Sequence, residues 1–303
     1  MSRFKVGLAL GGGAARALAH IGILEALEEA RIPVDFIVGT SMGAVIGAIY
    51  AANPDVGALK ERVAGYLDSE EFGRSKFAFM KEKDAVEGDG LFFKFSQFAR
   101  KGVFYTGIMT RRGFIPEETS DRHYALLVDD IPIEEARIPF CATSVDLVSG
   151  EEYLLKRGSM RRAVAASCAI PGILEPVTLD GRMLVDGGWL NAVPVAPARK
   201  MGAKFVIAVD TSRDIGEPEP LDNGLDIVFR SDSITRYALA NCQVGHADIV
   251  LAPGTGGIHW ADFSQAEASI ASGREEVRAR AGEIKRAIRK RRLRSLLGGR
   301  ANR

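Results

Sequence analysis

A serine lies between two glycines in the segment Gly39-Thr40-Ser41-Met42-Gly43. An apolar run precedes this segment and small residues at helical spacing follow it, so the pattern predicts a sharp strand-to-helix turn. The backbone is strained in such a turn, and glycines at 39 and 43 remove side chains that would collide. Ser41 would then present its hydroxyl at a helix N-terminus, as a nucleophile requires. The alternative is that Ser41 only caps the helix, which serine often does.

A carboxylate that could assist the serine is found in one of two neighbouring Asp-Gly pairs. Asp180-Gly181 lies between two apolar segments and is typical of a two-residue hairpin turn. Asp186-Gly187-Gly188 then falls at the end of the returning strand, where the glycines allow close backbone approach. The hairpin turn does not account for an aspartate at position 186, whereas pairing of its carboxylate with Ser41 would.

The loop Gly11-Gly12-Gly13 follows the first predicted strand, and its backbone N–H groups could hold an anion or an oxyanion. A dinucleotide-binding loop would need a third glycine where Arg16 stands. It would also need an acidic residue after the second strand, but Asp35 begins that strand. We therefore favour an oxyanion loop, with a plain tight turn as the alternative.

A histidine base or a metal site has little support in the sequence. A catalytic triad would require a histidine, and the chain has four: His20, His123, His246 and His259. We expect each of them to be packed or solvated. The histidines and cysteines show no spacing typical of metal ligands, so we expect no metal and no cofactor.

The elements that would position these residues alternate between strand and helix, which predicts parallel strand pairing. Strands are expected at 6–10, 34–38, 138–143 and 205–209. Nine of the fifteen phenylalanines fall between about 66 and 135, where periodicity is weak, and this predicts a helical cap insertion. The expected fold is a three-layer α/β/α sandwich with a mostly parallel central sheet.

Length and charge favour one main domain. The 303 residues carry a formal net charge of +1, which gives no overall attraction to nucleic acid. We expect a core at 4–210, its continuation at 211–274, and a basic terminal helix or tail at 275–303. Nine basic residues follow the last acidic one, Glu283: Lys285, Arg286, Arg289, Lys290, Arg291, Arg292, Arg294, Arg300 and Arg303.

Compartment is suggested by the cysteines and by hydropathy. Three cysteines at unpatterned spacings favour a reducing environment, and there is neither a signal-like leader nor an apolar run of membrane-spanning length. The sequence therefore predicts a cytoplasmic protein, or one attached peripherally to the inner membrane face.

Taken in order, three motifs resemble the patatin-like phospholipase family, including its neuropathy target esterase branch. These are Gly11-Gly12-Gly13-Ala14-Ala15-Arg16, Gly39-Thr40-Ser41-Met42-Gly43 and Asp186-Gly187-Gly188, within a similarity covering about 4–210. The resemblance implies a Ser-Asp dyad with Ser41 as nucleophile and Asp186 as base. It also implies an oxyanion loop formed by Gly12, Gly13 and Ala14, and it assigns Arg16 to the family's basic position.

Two residues depart from the family pattern. Ala14 and Ala17 stand where members commonly have glycine, and a positive φ at either would cost about 1 kcal/mol. Alanine still supplies an N–H group. The loop could therefore be displaced slightly without losing a donor.

The implied function is hydrolysis of a lipid acyl ester, and several features remain open. Arg16 either holds a substrate phosphate or is a solvated helix residue. The phenylalanines of the cap either line an acyl channel or pack in a core. The basic terminal helix either contacts anionic lipid or is a disordered tail, with a nucleic-acid patch less favoured. The alternative functions are a binding or regulatory protein with an inactive dyad, and an ordinary α/β-hydrolase that uses a histidine.

Overall fold

The computed structural model describes residues 4–74, 106–107, 109–212 and 221–298. The strands within them are β1 Val6–Leu10, β2 Phe36–Gly39, β3 Gly113–Ile115, β4 Phe140–Asp146, β5 Glu152–Leu155, β6 Gly172–Leu174, β7 Val177–Leu179, β8 Arg182–Asp186, β9 Phe205–Val209 and β10 Ile249–Leu251. A central sheet has the strand order β10-β9-β1-β2-β4-β8-β7, with β5 also paired to β4. A small parallel pair, β3 and β6, lies apart from it.

Helices connect these strands in the way that parallel pairing requires. They are α1 Ala19–Glu29, α2 Met42–Ala52, α3 Val56–Leu67, α4 Glu70–Gly73, α5 Glu117–Leu127, α6 Met160–Ser167, α7 Val195–Lys200, α8 Gly224–Val244 and α9 Ala266–Gly298. Short 3₁₀ turns occur at Ala14–Leu18, Ile133–Glu135, Gly187–Trp189 and Phe263–Gln265.

Alternating side chains of the strands build a core on each face of the sheet. Leu8 and Leu10 of β1 join one apolar cluster with α1, α2 and α9, whereas Ala9 joins a second cluster with α7 and α8. Strands β10, β9, β1, β2 and β4 are parallel, and β8 is antiparallel to β4. The predicted three-layer α/β/α sandwich with a mostly parallel sheet is confirmed.

Strand β4 brings the ends of two other strands together. Strand β5 occupies one edge of β4, opposite both Ala142 and Ser144. The other edge of β4 therefore pairs with β2 at Ala142 and with β8 at Ser144. Because β2 and β8 approach from opposite directions, Gly39 and Asp186 end up two positions apart along the same edge. The residues that follow β2 must meet the end of β8.

The hairpin predicted at Asp180-Gly181 is confirmed and places the end of β8. Both residues have positive φ, 50° and 74°, as a tight turn between antiparallel strands requires. β8 therefore returns directly to β4. Its last residue is Asp186, as expected from the sequence.

Helix α9 packs lengthwise against α1 and begins at Ala266, earlier than the expected Glu275. Ile284 and Ile288 of this helix are buried in the main apolar cluster, so a disordered tail is the wrong interpretation for residues 275–298. A Cβ added to Gly22 would lie 1.9 Å from the Ile270 carbonyl oxygen. The two helices can approach this closely only because the crossing is built from small residues.

The described part of the segment predicted to form a cap comprises α4, β3, α5, the end of α3 and the 3₁₀ turn Ile133–Glu135. Residues 75–105 and 108 lie outside the described ranges, and with them most of the phenylalanine-rich segment. The expectation that this segment forms a helical cap lining an acyl channel stays a prediction there.

We predict that Gly22→Ala destabilises the protein by about 1–3 kcal/mol, because the new methyl group overpacks the contact between α1 and α9. Gly65→Ala is the matched control: Gly65 lies in α3 with open space around it, so alanine should stabilise by about 0.5–1 kcal/mol. Urea unfolding of both variants measures the difference. Equal effects would contradict the proposed close crossing.

Candidate active site

Ser41 lies in a strained turn between β2 and α2. Its φ of 54° and ψ of −128° are angles that residues with side chains rarely adopt. A Cβ at Gly39 would lie 2.5 Å from Ala44 Cα, and one at Gly43 would lie 2.5 Å from the carbonyl oxygen of Gly11. The Ser41 side chain makes no capping hydrogen bond, so the helix-cap interpretation is wrong.

Asp186 ends β8, and its carboxylate lies close enough to the Ser41 side chain for the two to interact. The carboxylate is 3% exposed and accepts a 2.7 Å hydrogen bond from the Gly188 N–H. Burial raises the pKa of Asp186 to about 6, against the lowering effects of the Gly188 N–H, the Ser41 hydroxyl and Arg236. Such a carboxylate is still ionised at neutral pH and is a stronger base than an exposed aspartate.

A buried polar contact fixes the ends of β2 and β8 relative to β4. Thr40 and Thr143 share a 2.7 Å hydrogen bond between their hydroxyls, and Thr40 Oγ1 also donates to the Asn191 carbonyl at 2.8 Å. A Cβ at Gly187 would lie 2.2 Å from Thr143 Oγ1, so only glycine fits there. The turn after Asp186 is thereby held against the turn that carries Ser41.

The glycine loop lies directly against Ser41, since a Cβ at Gly12 would be 3.4 Å from the Ser41 Cβ. Most of its backbone groups already have partners. Gly11 N–H donates to the Val209 carbonyl at 3.0 Å, and Gly12 N–H donates to the Ala192 carbonyl at 3.1 Å. The predicted oxyanion role of Gly12 therefore needs correction, because its donor is engaged in holding the loop.

Two N–H groups of the loop remain, those of Gly13 and Ala14, which have no acceptor within the described residues. Ala14 has a φ of 48°, so the strain considered from the sequence is present at this residue, whereas Ala17 has no positive φ. Gly13 has a φ of 150°, and a Cβ there would lie 2.3 Å from Thr211 Oγ1. Adjacent unengaged amides beside a serine hydroxyl can bind an oxyanion.

Two of the four histidines, His20 and His123, interact with groups other than Ser41. The groups whose pKa the Ser41 side chain lowers by its proximity are Asp186 and Cys168. His20 is fully buried, and its Nε2–H donates to the Gly11 carbonyl at 2.8 Å. Burial lowers the pKa of His20 to about 4, so the ring is neutral at physiological pH. His123 interacts through Nδ1 with the hydroxyl of Tyr66 at 3.1 Å.

Arg16 anchors the loop to a segment near the C-terminal helix. Its Nε donates to the Ile258 carbonyl at 2.6 Å, and the neighbouring Ala15 N–H donates to the Trp260 carbonyl at 2.9 Å. The sequence offered no sign of these partners, since they lie far along the chain. A phosphate-binding role for Arg16 stays a prediction.

A mostly apolar pocket opens beside Ser41. Its walls come from α2, α3, α5 and the segment around Phe263, and they include Met42, Val45, Tyr66, Phe72, Tyr124, Leu127, Ile170, Leu174 and Phe263. Phe72 contacts both Tyr66 and Phe263, with ring centroids 5.3 Å and 5.5 Å apart. Cys168 and Tyr124, which the sequence did not suggest as site residues, also line the pocket, and Cys168 lies close to the Ser41 side chain.

Metal chemistry has no visible ligand set here. Nowhere in the described ranges do three or more histidine, cysteine, aspartate or glutamate side chains cluster as metal ligands would.

Sequence comparison identifies similar proteins. The family described as patatin-like phospholipase matches residues 8–199. Patatin-like phospholipase domain-containing protein 6 of Mus musculus is 34% identical over 68% of this chain and 13% of its own length. An uncharacterized NTE family protein of Mycobacterium bovis is 34% identical over 76% of this chain and 57% of its own. The lysophospholipase NTE1 of Eremothecium gossypii is 32% identical over 72% of this chain and 12% of its own.

The strain at Ser41 generates a stability prediction. Replacing Ser41 by glycine should give a protein about 1 kcal/mol more stable than Ser41→Ala, because relief of about 1–3 kcal/mol of strain exceeds the extra freedom of the unfolded glycine chain. Urea unfolding at neutral pH measures this.

Ser233 in α8 is the matched control for that comparison. In a helix, glycine should be less stable than alanine by about 1 kcal/mol, so the order of the two variants should reverse. The same order at both sites would contradict strain at Ser41.

Proposed function

Because the chain belongs to the patatin-like phospholipase family, we propose that it is a serine carboxylic ester hydrolase acting on lipid acyl esters. The proposed machinery is a dyad of Ser41 and Asp186 with an oxyanion hole in the glycine loop. The observation that carries this proposal is the approach of the Ser41 side chain to a buried carboxylate, next to two unengaged amides.

In the first step, Ser41 Oγ attacks the ester carbonyl carbon while Asp186 accepts the hydroxyl proton. Burial supports this role, since a carboxylate with a pKa of about 6 holds a proton better than an exposed one. The proton then passes to the departing alcohol oxygen. In the second step Asp186 accepts a proton from water as the water oxygen attacks the acyl carbon. The bond from that carbon to Ser41 Oγ then breaks, Oγ takes up the proton, and the free fatty acid leaves.

The oxyanion of each tetrahedral intermediate would be held by the N–H groups of Gly13 and Ala14. Losing one such donor typically costs on the order of 10²- to 10³-fold in rate. Gly12 and Arg16 enter the proposal as supports of the loop, because Gly12 N–H and Arg16 Nε are bound to backbone carbonyls. Gly11, Gly39, Gly43, Gly187 and Gly188 allow the close approaches described above.

The acyl chain is proposed to occupy the apolar pocket beside Ser41. Its aromatic wall of Tyr66, Phe72 and Phe263 offers the continuous apolar surface that a hydrocarbon chain requires. One relative bears the name lysophospholipase. We therefore propose a phospholipid or lysophospholipid as the substrate class.

The proposal predicts which substitutions abolish activity on a short-chain nitrophenyl ester and on lysophosphatidylcholine. Ser41→Ala should reduce activity to background, and Asp186→Asn should reduce kcat by about 10²- to 10⁴-fold because the base is lost. In the parent, kcat/KM should be half-maximal near pH 6, level off at higher pH and approach a tenfold fall per pH unit at lower pH, since Asp186 must be ionised to accept a proton.

His20→Gln is the control for a histidine mechanism. Glutamine can still donate to the Gly11 carbonyl but cannot act as a base, so activity should stay within about tenfold of the parent. His20→Ala would be ambiguous, because it also removes that support. Loss with His20→Gln and retention with Asp186→Asn would favour a histidine triad. A parent without Ser41-dependent hydrolysis would favour a binding or regulatory protein.

Membrane contact is proposed for the end of α9. Every helix among the described residues is too short or too polar to cross a bilayer. The last turns of α9 expose Leu293, Leu296 and Leu297 beside Arg289, Lys290 and Arg292. Leucines flanked by basic residues favour an anionic lipid surface. No specific binding of nucleic acid is proposed.

The C-terminal end of α9 lies on the opposite edge of the sheet from Ser41. Arg291 and Arg294 line a groove with Phe4 and Lys204, which precede β1 and β9. This is the amino edge of the parallel strands, whereas Ser41 follows the carboxyl edge. The helix end would attach the protein to a surface and would not itself deliver substrate. The three free cysteines agree with the proposed cytoplasmic location on the inner membrane face.

We predict that the triple variant Arg289→Gln/Lys290→Gln/Arg292→Gln loses most of its sedimentation with anionic vesicles at low salt, because each removed charge contributes about 1 kcal/mol near such a surface. The parent should also dissociate at high salt. Truncation after Glu283 is less suitable, since it removes the buried Ile284 and Ile288.

The matched control makes the same charge change elsewhere, with Arg111→Gln/Arg112→Gln/Arg157→Gln at exposed positions. It should bind vesicles as the parent does. Equal binding by both triple variants and the parent would contradict the role of α9.

A further inference from the structure

A residue outside the family-matched segment holds the carbonyl group of Gly12. Thr211, in the turn after β9, donates from Oγ1 to this oxygen at 2.8 Å, and the Ser212 hydroxyl approaches it at 3.3 Å. Thr211 is 2% exposed, so water does not compete well for the bond. The matched family segment ends at residue 199.

This contact orients the next amide along the chain. In a trans peptide unit the C=O and N–H bonds point in opposite directions within one plane. The carbonyl of Gly12 and the N–H of Gly13 belong to the same unit. Because the Gly12 carbonyl points towards Thr211, the N–H of Gly13 must point away from Thr211. No acceptor among the described residues binds this N–H.

The hydrogen bond from Thr211 to the Gly12 carbonyl is needed because the loop is made of glycine. Gly12 and Gly13 tolerate both signs of φ, so their shared peptide plane can rotate at little cost. A rotated plane would turn the N–H of Gly13 towards Thr211 and remove it from the site. The glycines allow the loop to approach Ser41 closely, but they do not fix the direction of the Gly13 N–H. A hydrogen bond to the Gly12 carbonyl must fix that direction.

Thr211 is itself held in place by the neighbouring strand. Its carbonyl accepts a 3.1 Å hydrogen bond from the Thr255 hydroxyl, which follows β10. Ser212 N–H donates to Asp210 Oδ1 at 3.0 Å, and Asp210 N–H donates to the Leu251 carbonyl at 2.9 Å. The contact with the loop is close packed, as shown by the 2.3 Å between Thr211 Oγ1 and a Cβ built at Gly13.

We propose that Thr211 is a positioning residue, which aims the Gly13 N–H at the oxyanion by donating its hydroxyl to the Gly12 carbonyl. This inference rests on the proposed function. Donation to the carbonyl also polarises the peptide unit, which strengthens its N–H as a donor. Thr211 acts on the transition state through Gly13 and makes no contact with the substrate.

The test compares Thr211→Val, which keeps the shape and removes the hydroxyl, with Thr211→Ser, which keeps the hydroxyl. Thr211→Val/Ser212→Ala removes both donors to the Gly12 carbonyl. We expect kcat on the nitrophenyl ester to fall about 10- to 100-fold in Thr211→Val and further in the double variant, approaching the loss of one oxyanion donor. KM should change less than threefold, and Thr211→Ser should stay within threefold of the parent in kcat.

A second readout separates positioning from general damage. A trifluoromethyl ketone forms a tetrahedral adduct with the serine and needs the oxyanion hole, whereas the matching methyl ketone does not form this adduct readily. Affinity for the fluorinated ketone should weaken by the same factor as kcat, with the affinity for the methyl ketone unchanged. Fractions of folded enzyme are normalised by thermal unfolding and by titration of Ser41 with a fluorophosphonate.

The outcomes distinguish this inference from the proposed function. Unchanged kcat in Thr211→Val and in the double variant, with Ser41→Ala inactive, would overturn the inference and leave the function standing. A rise in KM with unchanged kcat, or equal weakening of both ketones, would overturn it as well. A parent without Ser41-dependent hydrolysis would overturn the proposed function and, with it, the role of Thr211.

Discussion

Pairing along one edge of β4 is the constraint on which the site depends. Strand β4 has seven residues, enough to pair with β2 at its start and with β8 at its end, while β5 covers the other edge. The distance between the two strand ends is therefore set by the backbone spacing of β4. Side chains only refine it, through the hydroxyl contact of Thr40 with Thr143. A serine and a carboxylate at these ends meet without any long flexible side chain.

Around this frame the site retains several unfavourable features. Ser41 and Ala14 have positive φ, Asp186 is buried as a potential anion, and the Nδ1 atom of His20 is buried without a hydrogen-bond partner in the described part of the chain. Each of these costs free energy on the order of 1–3 kcal/mol. They can persist because the central strands are rigid and nearly fully buried. Local strain beside a rigid sheet is typical of sites built for chemistry.

The sequence was informative where the signal is local. The Gly-x-Ser-x-Gly turn, the hairpin at Asp180 and the fully buried strand β9 each depend on a few adjacent residues, and each was predicted. Residues that depend on distant partners were missed. Nothing near Gly12 shows that its N–H is bound to Ala192, and nothing near Thr211 shows that its hydroxyl reaches the loop. The start of α9 was also misplaced, because its first turns consist of small residues whose packing against α1 has no local signature.

Strand β9 lies between β1 and β10 in the sheet, yet it follows the segment that defines the family by sequence. An excised piece ending at residue 199 would leave one flank of β1 without a hydrogen-bonding neighbour, although β1 is apolar and buried in the intact chain. An unpaired edge of an apolar strand promotes pairing with another copy of the chain. The segment that the family model matches is therefore smaller than the part of the chain that must fold together, and a fragment ending at residue 199 would aggregate.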